Sequence, residues 1–163
     1  MSISQEFERA FRLHQQGKLR EAFFRYDAIL KAEPRHTGAL HYSGVVLFQA
    51  GKLPQAADRI RAALTVDPAQ PEAWSNLALV LQAVGRPEAA VNALRQAVTH
   101  APESPQIWAN LAASEVSLGM STEAEASARK ALAADRTLAS GWYNLALALS
   151  AQDRVLEALD GAS

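Results

Sequence analysis

The stretch Pro71–Ser104, PEAWSNLALVLQAVGRPEAAVNALRQAVTHAPES, spans 34 residues and reads as two helices with two breaks. Trp74, Leu77, Ala78 and Leu81 stand at i, i+3, i+4 and i+7, the spacing that lines one face of a helix. Gly85 ends that helix, because glycine accepts the left-handed conformation a helix C-terminus often needs. Pro87 suits the first turn of a second helix, where a missing N–H costs nothing. Ala90, Leu94 and Ala97 face back toward the first helix, and the small alanines allow close approach. Pro102 stops the second helix, and Pro105, with Ser104 as its cap, opens the next.

The pattern recurs in both directions. Gly17, Gly51, Gly85 and Gly119 are 34 residues apart, each followed five positions later by an alanine: Ala22, Ala56, Ala90 and Ala124. Ala158 continues the series, with Asp153 in place of the glycine, and Pro34, Pro68 and Pro102 keep the same step. A fixed period of this size marks a stacked repeat array. One such hairpin cannot bury both of its apolar faces, so neighbours must stack to make a continuous core.

The aromatic at the fourth position of the frame is Trp74, Trp108 and Trp142, with Leu40 in the second repeat. The leucine–small pair is Leu77-Ala78, Leu111-Ala112 and Leu145-Ala146, and Ser43-Gly44 in the second repeat. In this period and these positions the chain resembles the tetratricopeptide repeat family over essentially its whole length. The resemblance implies an all-α, right-handed superhelical solenoid of helix–turn–helix hairpins. As one array it has repeats at 3–36, 37–70, 71–104 and 105–138 and a partial repeat at 139–163.

The departures carry their own expectations. Glu6 and Arg9 replace apolar residues in the first repeat, as suits a helix with no neighbour on its outer side. Glu115, Ser121, Ala128 and Arg136 replace larger or apolar residues in the fourth, where looser packing is expected. The fifth repeat is expected to hold a first helix over 140–152 and about half of a second. A polar capping helix, which arrays usually need, is not evident. The chain is then a fragment of a longer protein, or its last repeat is covered by a partner or by self-association.

The chain is 49% hydrophobic and 20% charged, with a formal net charge of −1. That balance is ordinary for a folded domain. It lacks the basic stripe of a nucleic-acid footprint, so no nucleic-acid partner is expected. The absence of cysteine rules out disulfides and thiolate zinc sites. The first residues are charged and carry no apolar signal core, and no tract approaches the roughly 20 apolar residues of a membrane span. A cytoplasmic location without membrane insertion is the expectation.

Nothing points to catalysis, to a metal or to a cofactor. His36 and His41 are five residues apart rather than the i, i+4 of helical metal pairs. They and His14 and His100 read as solvated or groove-facing imidazoles. Gly51-Lys52 has the look of a phosphate loop's end, but Leu53 stands where its Ser or Thr would be. No enzyme is expected, and a protein or peptide ligand is.

In this family the second, fifth, sixth, ninth, twelfth and thirteenth positions of each first helix face the concave groove. The resemblance therefore implies a groove in two parts. One is aromatic and apolar: Phe7, Phe11, Tyr42, Val45 and Phe48, with His14 and His41 at its edges. Helical spacing leaves Phe11 equally able to pack in the core. The other part is a ladder of Asn76, Asn110 and Asn144, again 34 apart. It is similar to the ladder in the repeat arms of O-linked N-acetylglucosamine transferase-like bacterial proteins, where such amides grip peptide backbones. An amide can pair with both N–H and C=O of a peptide bond; it can equally bond between repeats. Leu79, Tyr143 and Leu147 flank the ladder.

Chaperone-adaptor members of the family clamp a C-terminal carboxylate with lysine, arginine and asparagine. The matching positions here are Phe7, Phe11, Tyr42, Glu72 and Asn76, with no cation among them. The expected role is a non-catalytic scaffold holding an extended or short helical segment of another protein. The alternative is the N-terminal recognition arm of a larger, transferase-type enzyme.

Overall fold

The computed structural model describes the backbone of residues 1–161 and the side chains of residues 1–154. The described residues are helical hairpins, without strands. First helices are α1 (Ile3–Gln15), α3 (Thr37–Gln49), α5 (Pro71–Ala83) and α7 (Pro105–Ser117). They alternate with α2 (Leu19–Ala32), α4 (Leu53–Val66), α6 (Pro87–His100) and α8 (Ser121–Ala134), and α9 (Ala139–Gly161) follows. First helices thus begin at the step the sequence predicts.

The punctuation is physical. Gly17, Gly51, Gly85 and Gly119 all adopt φ between +74° and +77°, which a residue with a Cβ enters only at a cost. Ser104 caps α7, its hydroxyl accepting from the Ile107 N–H at 3.4 Å. Ser2 and Gln5 form a reciprocal capping box on α1. The indole N–H of Trp74 donates to the Pro68 carbonyl at 2.8 Å. Trp108 does the same to Pro102 at 2.7 Å, and Trp142 to Arg136 at 2.8 Å. Each ties a first helix to the loop before it. The bond needs a backbone carbonyl and not a proline ring, so Arg136 preserves it.

The chain forms two compact units, Met1–Arg86 and the part from Pro87 onward. In the first, Ala10, Ala22, Tyr26, Ile29, Ala39 and Val46 form a buried core under Phe7, Phe23 and Tyr42. Gly44 lets α3 and α4 close together: a Cβ there would lie 2.7 Å from Ile60 and 3.1 Å from the Ala56 carbonyl. In the second, Ala112, Ala128, Leu132 and Leu145 form a core cluster.

Two expectations change here. The fourth repeat is not loose. Glu115 is 2% exposed, with one oxygen accepting from the Ser127 hydroxyl at 2.7 Å and the other 3.7 Å from Arg95. Burial raises the Glu115 pKa, partly opposed by Ser127 and Arg95. A polar bridge has replaced an apolar contact. The fifth repeat is also different, because α9 runs through Asp153 without a turn. No glycine stands there to supply the left-handed residue that breaks the other first helices. The Ala158 side chain and residues 162–163 lie outside the described residues.

Candidate functional site

Gly38, in the first turn of α3, decides where the first unit places its rings. A Cβ on it would come within 2.8 Å of the Phe7 ring, so its absence lets Phe7 lie across α3. From there Phe7 contacts Phe11, 6.4 Å away between centroids, Tyr26 at 5.9 Å and Tyr42 at 6.1 Å. Phe11 meets Tyr42 edge-on at 4.9 Å, and His41 stacks on Tyr42 at 4.5 Å. Such pairs contribute about 0.5–1.5 kcal/mol beyond area burial. The rings therefore support one another as a packed surface. Phe7, Phe11 and Tyr42 remain half-buried, so their rings are still accessible.

The polar rim is held by named bonds. The Tyr42 hydroxyl donates to both carboxylate oxygens of Glu72, each at 3.3 Å. Burial and the Glu72 charge raise the Tyr42 pKa. The Asn76 amide donates to Nε2 of His41 at 2.8 Å, so Nδ1 carries the proton of the neutral ring. Burial lowers the His41 pKa, opposed by Glu72 and reinforced by His14. His14 Nε2 pairs with Gln49 Oε1 at 2.7 Å. His36 is the N-cap of α3, its Nδ1 accepting from the Ala39 N–H at 3.1 Å. Beneath the cluster, Tyr26 is fully buried, and its hydroxyl has no hydrogen-bond partner. Burial pushes its pKa well above the usual phenol range, with Tyr42 adding to the effect.

The structure thus brings Phe7, Phe11, Tyr42 and Asn76 together, with both edge histidines. His41 is buried at 4% exposure, not solvated or groove-facing, because Tyr42 covers its ring and Asn76 takes its free nitrogen. Val45 and Phe48 are half-buried on the same helix. Leu79 is 48% exposed on α5. Gly38 and Tyr26 were not legible as site residues. The only sequence signal for Gly38 is a glycine at a groove-facing position of the frame.

In the second unit the asparagines differ from equal rungs. Asn144 is 4% exposed, and its amide donates to the Ala109 carbonyl at 3.0 Å. The packing of α9 on α7 draws it into the seam. The bond reaches back 35 residues, as does that of Asn76 to His41. Sixth-position amides in both units therefore link successive first helices. Asn110 is half-buried, with its oxygen accepting from Gln106 at 3.1 Å. Tyr143 and Leu147, one helical turn apart, are 66% and 37% exposed. Among the described residues no cluster of three or more His, Asp or Glu could hold a metal. No helix there is long and apolar enough to cross a membrane.

Comparison with known proteins agrees with this geometry. The tetratricopeptide repeat family profile matches residues 13–80 and again 47–114. Among curated protein sequences none matches significantly. The crystal structure of MamA protein superposes with a TM-score of 0.83 at 18% identity, covering 97% of this chain and 86% of that one. YrrB, described as a TPR protein with an unusual peptide-binding site, gives 0.79 at 20% identity over 91% of this chain and 76% of its own. A Thermobaculum terrenum O-GlcNAc transferase gives 0.73 at 22% identity, covering 80% of this chain but 25% of the transferase. At these identities the likeness is one of fold. The two profile matches together span more than half of the sequence in the register of its hairpins, and the chain belongs to the tetratricopeptide repeat family.

Proposed function

We propose that the chain is a non-catalytic scaffold that binds an extended or short helical segment of another protein on its first-helix face. The observation that carries this reading is the set of half-open rings on α1 and α3, Phe7, Phe11 and Tyr42, fixed by Gly38 below and Glu72 beside them. Rigid aromatic rings offer a large contact area at little entropic cost, which suits them to anchor a peptide. Leu79 adds apolar contact in the same unit; in the second unit, taken by itself, Tyr143 and Leu147 form an exposed apolar pair on α9. The peptide-binding site of YrrB supports the reading by fold analogy. Asn110 is the ladder residue best suited to a peptide backbone, since Asn76 and Asn144 direct their amides to the preceding helix.

The test is site-specific photocrosslinking in native cell extract. A photoreactive phenylalanine is placed at Leu79, and separately at Phe24, which is 74% exposed on α2. Capture of one protein from Leu79 and not from Phe24 supports the first-helix face. Capture from Phe24 alone moves the site to the second helices.

A second reading, the recognition arm of a larger transferase-type enzyme, is supported by the match to a quarter of the Thermobaculum terrenum enzyme. Reading the gene beyond the codon for Ser163 separates the two. A catalytic domain in frame favours the arm.

A further inference from the structure

We infer that the aromatic cluster of the first unit is an anchor for a cationic side chain, arginine before lysine, on the bound peptide. The inference rests on the peptide-binding reading above and adds the chemistry of the ligand. Its first support is charge. The groove-facing positions of α1, α3 and α5 hold two carboxylates, Glu8 and Glu72, and no lysine or arginine. Two other carboxylates of this unit are neutralised by arginine, Glu6 by Arg25 at 3.1 Å and Asp27 by Arg59 at 2.9 Å. Glu72 is exposed, and among the described residues no cation pairs with it. Two long bonds from the Tyr42 hydroxyl hold the carboxylate beside that ring.

The second support is the surface next to that carboxylate. Phe11 lies edge-on to Tyr42 at 4.9 Å and stays half-open. Aromatic faces attract cations, more strongly where water is partly excluded. A guanidinium is planar and weakly hydrated; it can stack on a ring while its fork pairs with a carboxylate. An ammonium can do one of these well, hence the order of preference. His41 does not supply a competing positive charge, since its burial favours the neutral ring. The third support lies beneath. The fully buried Tyr26 ring packs against Phe7, His14 and Tyr42, so the cluster is backed by a further aromatic ring.

The probe is a displayed library of random dodecapeptides, panned on the full chain and on Glu72→Gln and Glu72→Lys. Glu72 is exposed in the first turn of α5, and circular dichroism checks that both variants stay folded. Peptides enriched on the wild type are expected to share arginine at one register, to lose it on Glu72→Gln and to carry acid there on Glu72→Lys. A synthetic peptide from that set should lose about tenfold in affinity for the wild type when arginine becomes citrulline, and the same replacement should cost distinctly less on Glu72→Gln. Enriched peptides without a shared basic residue, or a basic preference indifferent to Glu72, overturn the cationic anchor and leave the scaffold standing. No enrichment on the wild type overturns both.

Discussion

Tyr42 and Asn144 hold the same position in their hairpins, yet one is a half-open ring on a carboxylate and the other a buried amide in a seam. The contrast runs through both units. The first buries polar side chains, His41, Ser43 and the Tyr26 hydroxyl, but no carboxylate, beneath half-open rings. The second lets a carboxylate into the core, Glu115 beside Ser127, and exposes Tyr143 and Leu147. A repeat fixes the direction a side chain leaves its helix. What that side chain meets is decided by the neighbouring hairpin, and so is its function.

The largest effect should come from the close helix contact in the first unit. Gly44→Val places a Cβ 2.7 Å from the fully buried Ile60 and 3.1 Å from a backbone oxygen. Overpacking there should cost about 3 kcal/mol. In the fourth repeat Ala112 already carries a Cβ in this register, fully buried, and Ala112→Gly should cost about 1 kcal/mol through helix propensity. Urea midpoints at constant slope measure both. Equal losses would mean that the two contacts are packed alike.

Next comes the polar core of the second unit. Glu115 stands where the third repeat has Leu81, and Ser127 where it has Ala93. The double change Glu115→Leu, Ser127→Ala removes a desolvated carboxylate together with its donor and should stabilise the protein by about 1–2 kcal/mol. A loss of stability would show that the bridge with Arg95 outweighs desolvation.

A smaller effect separates the asparagines. Asn144→Ala removes a buried bond to the Ala109 carbonyl, which keeps its partner within α7, and should cost about 1 kcal/mol. Asn110→Ala should change stability by about 0.5 kcal/mol or less, as a half-exposed site. Similar costs at the two positions would restore three equivalent rungs.

Much of this was legible because a 34-residue period constrains backbone and facing at once. Glycines at φ near +75°, prolines in first turns and tryptophans at the fourth position reveal the helix starts and the faces they bury. Depth was not legible. A short amide and a phenol at one position leave the helix in the same direction, and only the spacing of neighbouring helices settles which is covered. The Glu115 bridge was hidden because its partner, Ser127, is an unremarkable serine on another helix. The straight run of α9 was readable in principle, since Asp153 lacks the conformational freedom of the glycines it replaces.

Acidification should produce the subtlest difference, because the two units carry buried groups shifted in opposite senses. Burial lowers the His41 pKa below its ordinary 6.5. Above 6.5 the ring is neutral in both folded and unfolded chains. Below it the unfolded chain binds the proton first, so stability is lost as pH falls from 6.5 through the folded value. Burial raises the Glu115 pKa above its ordinary 4.5. At neutral pH its charge is a burden on the folded state. As pH falls through the raised value the folded chain takes up the proton first, and stability is gained down to 4.5. Urea denaturation between pH 7.5 and 4.5 should therefore give a flatter acid decline in His41→Gln and a steeper one in Glu115→Gln than in the wild type. Parallel curves for all three chains would mean that neither group is linked to folding. Curves shifted in the same direction would break the contrast between a unit that buries an imidazole and one that buries a carboxylate.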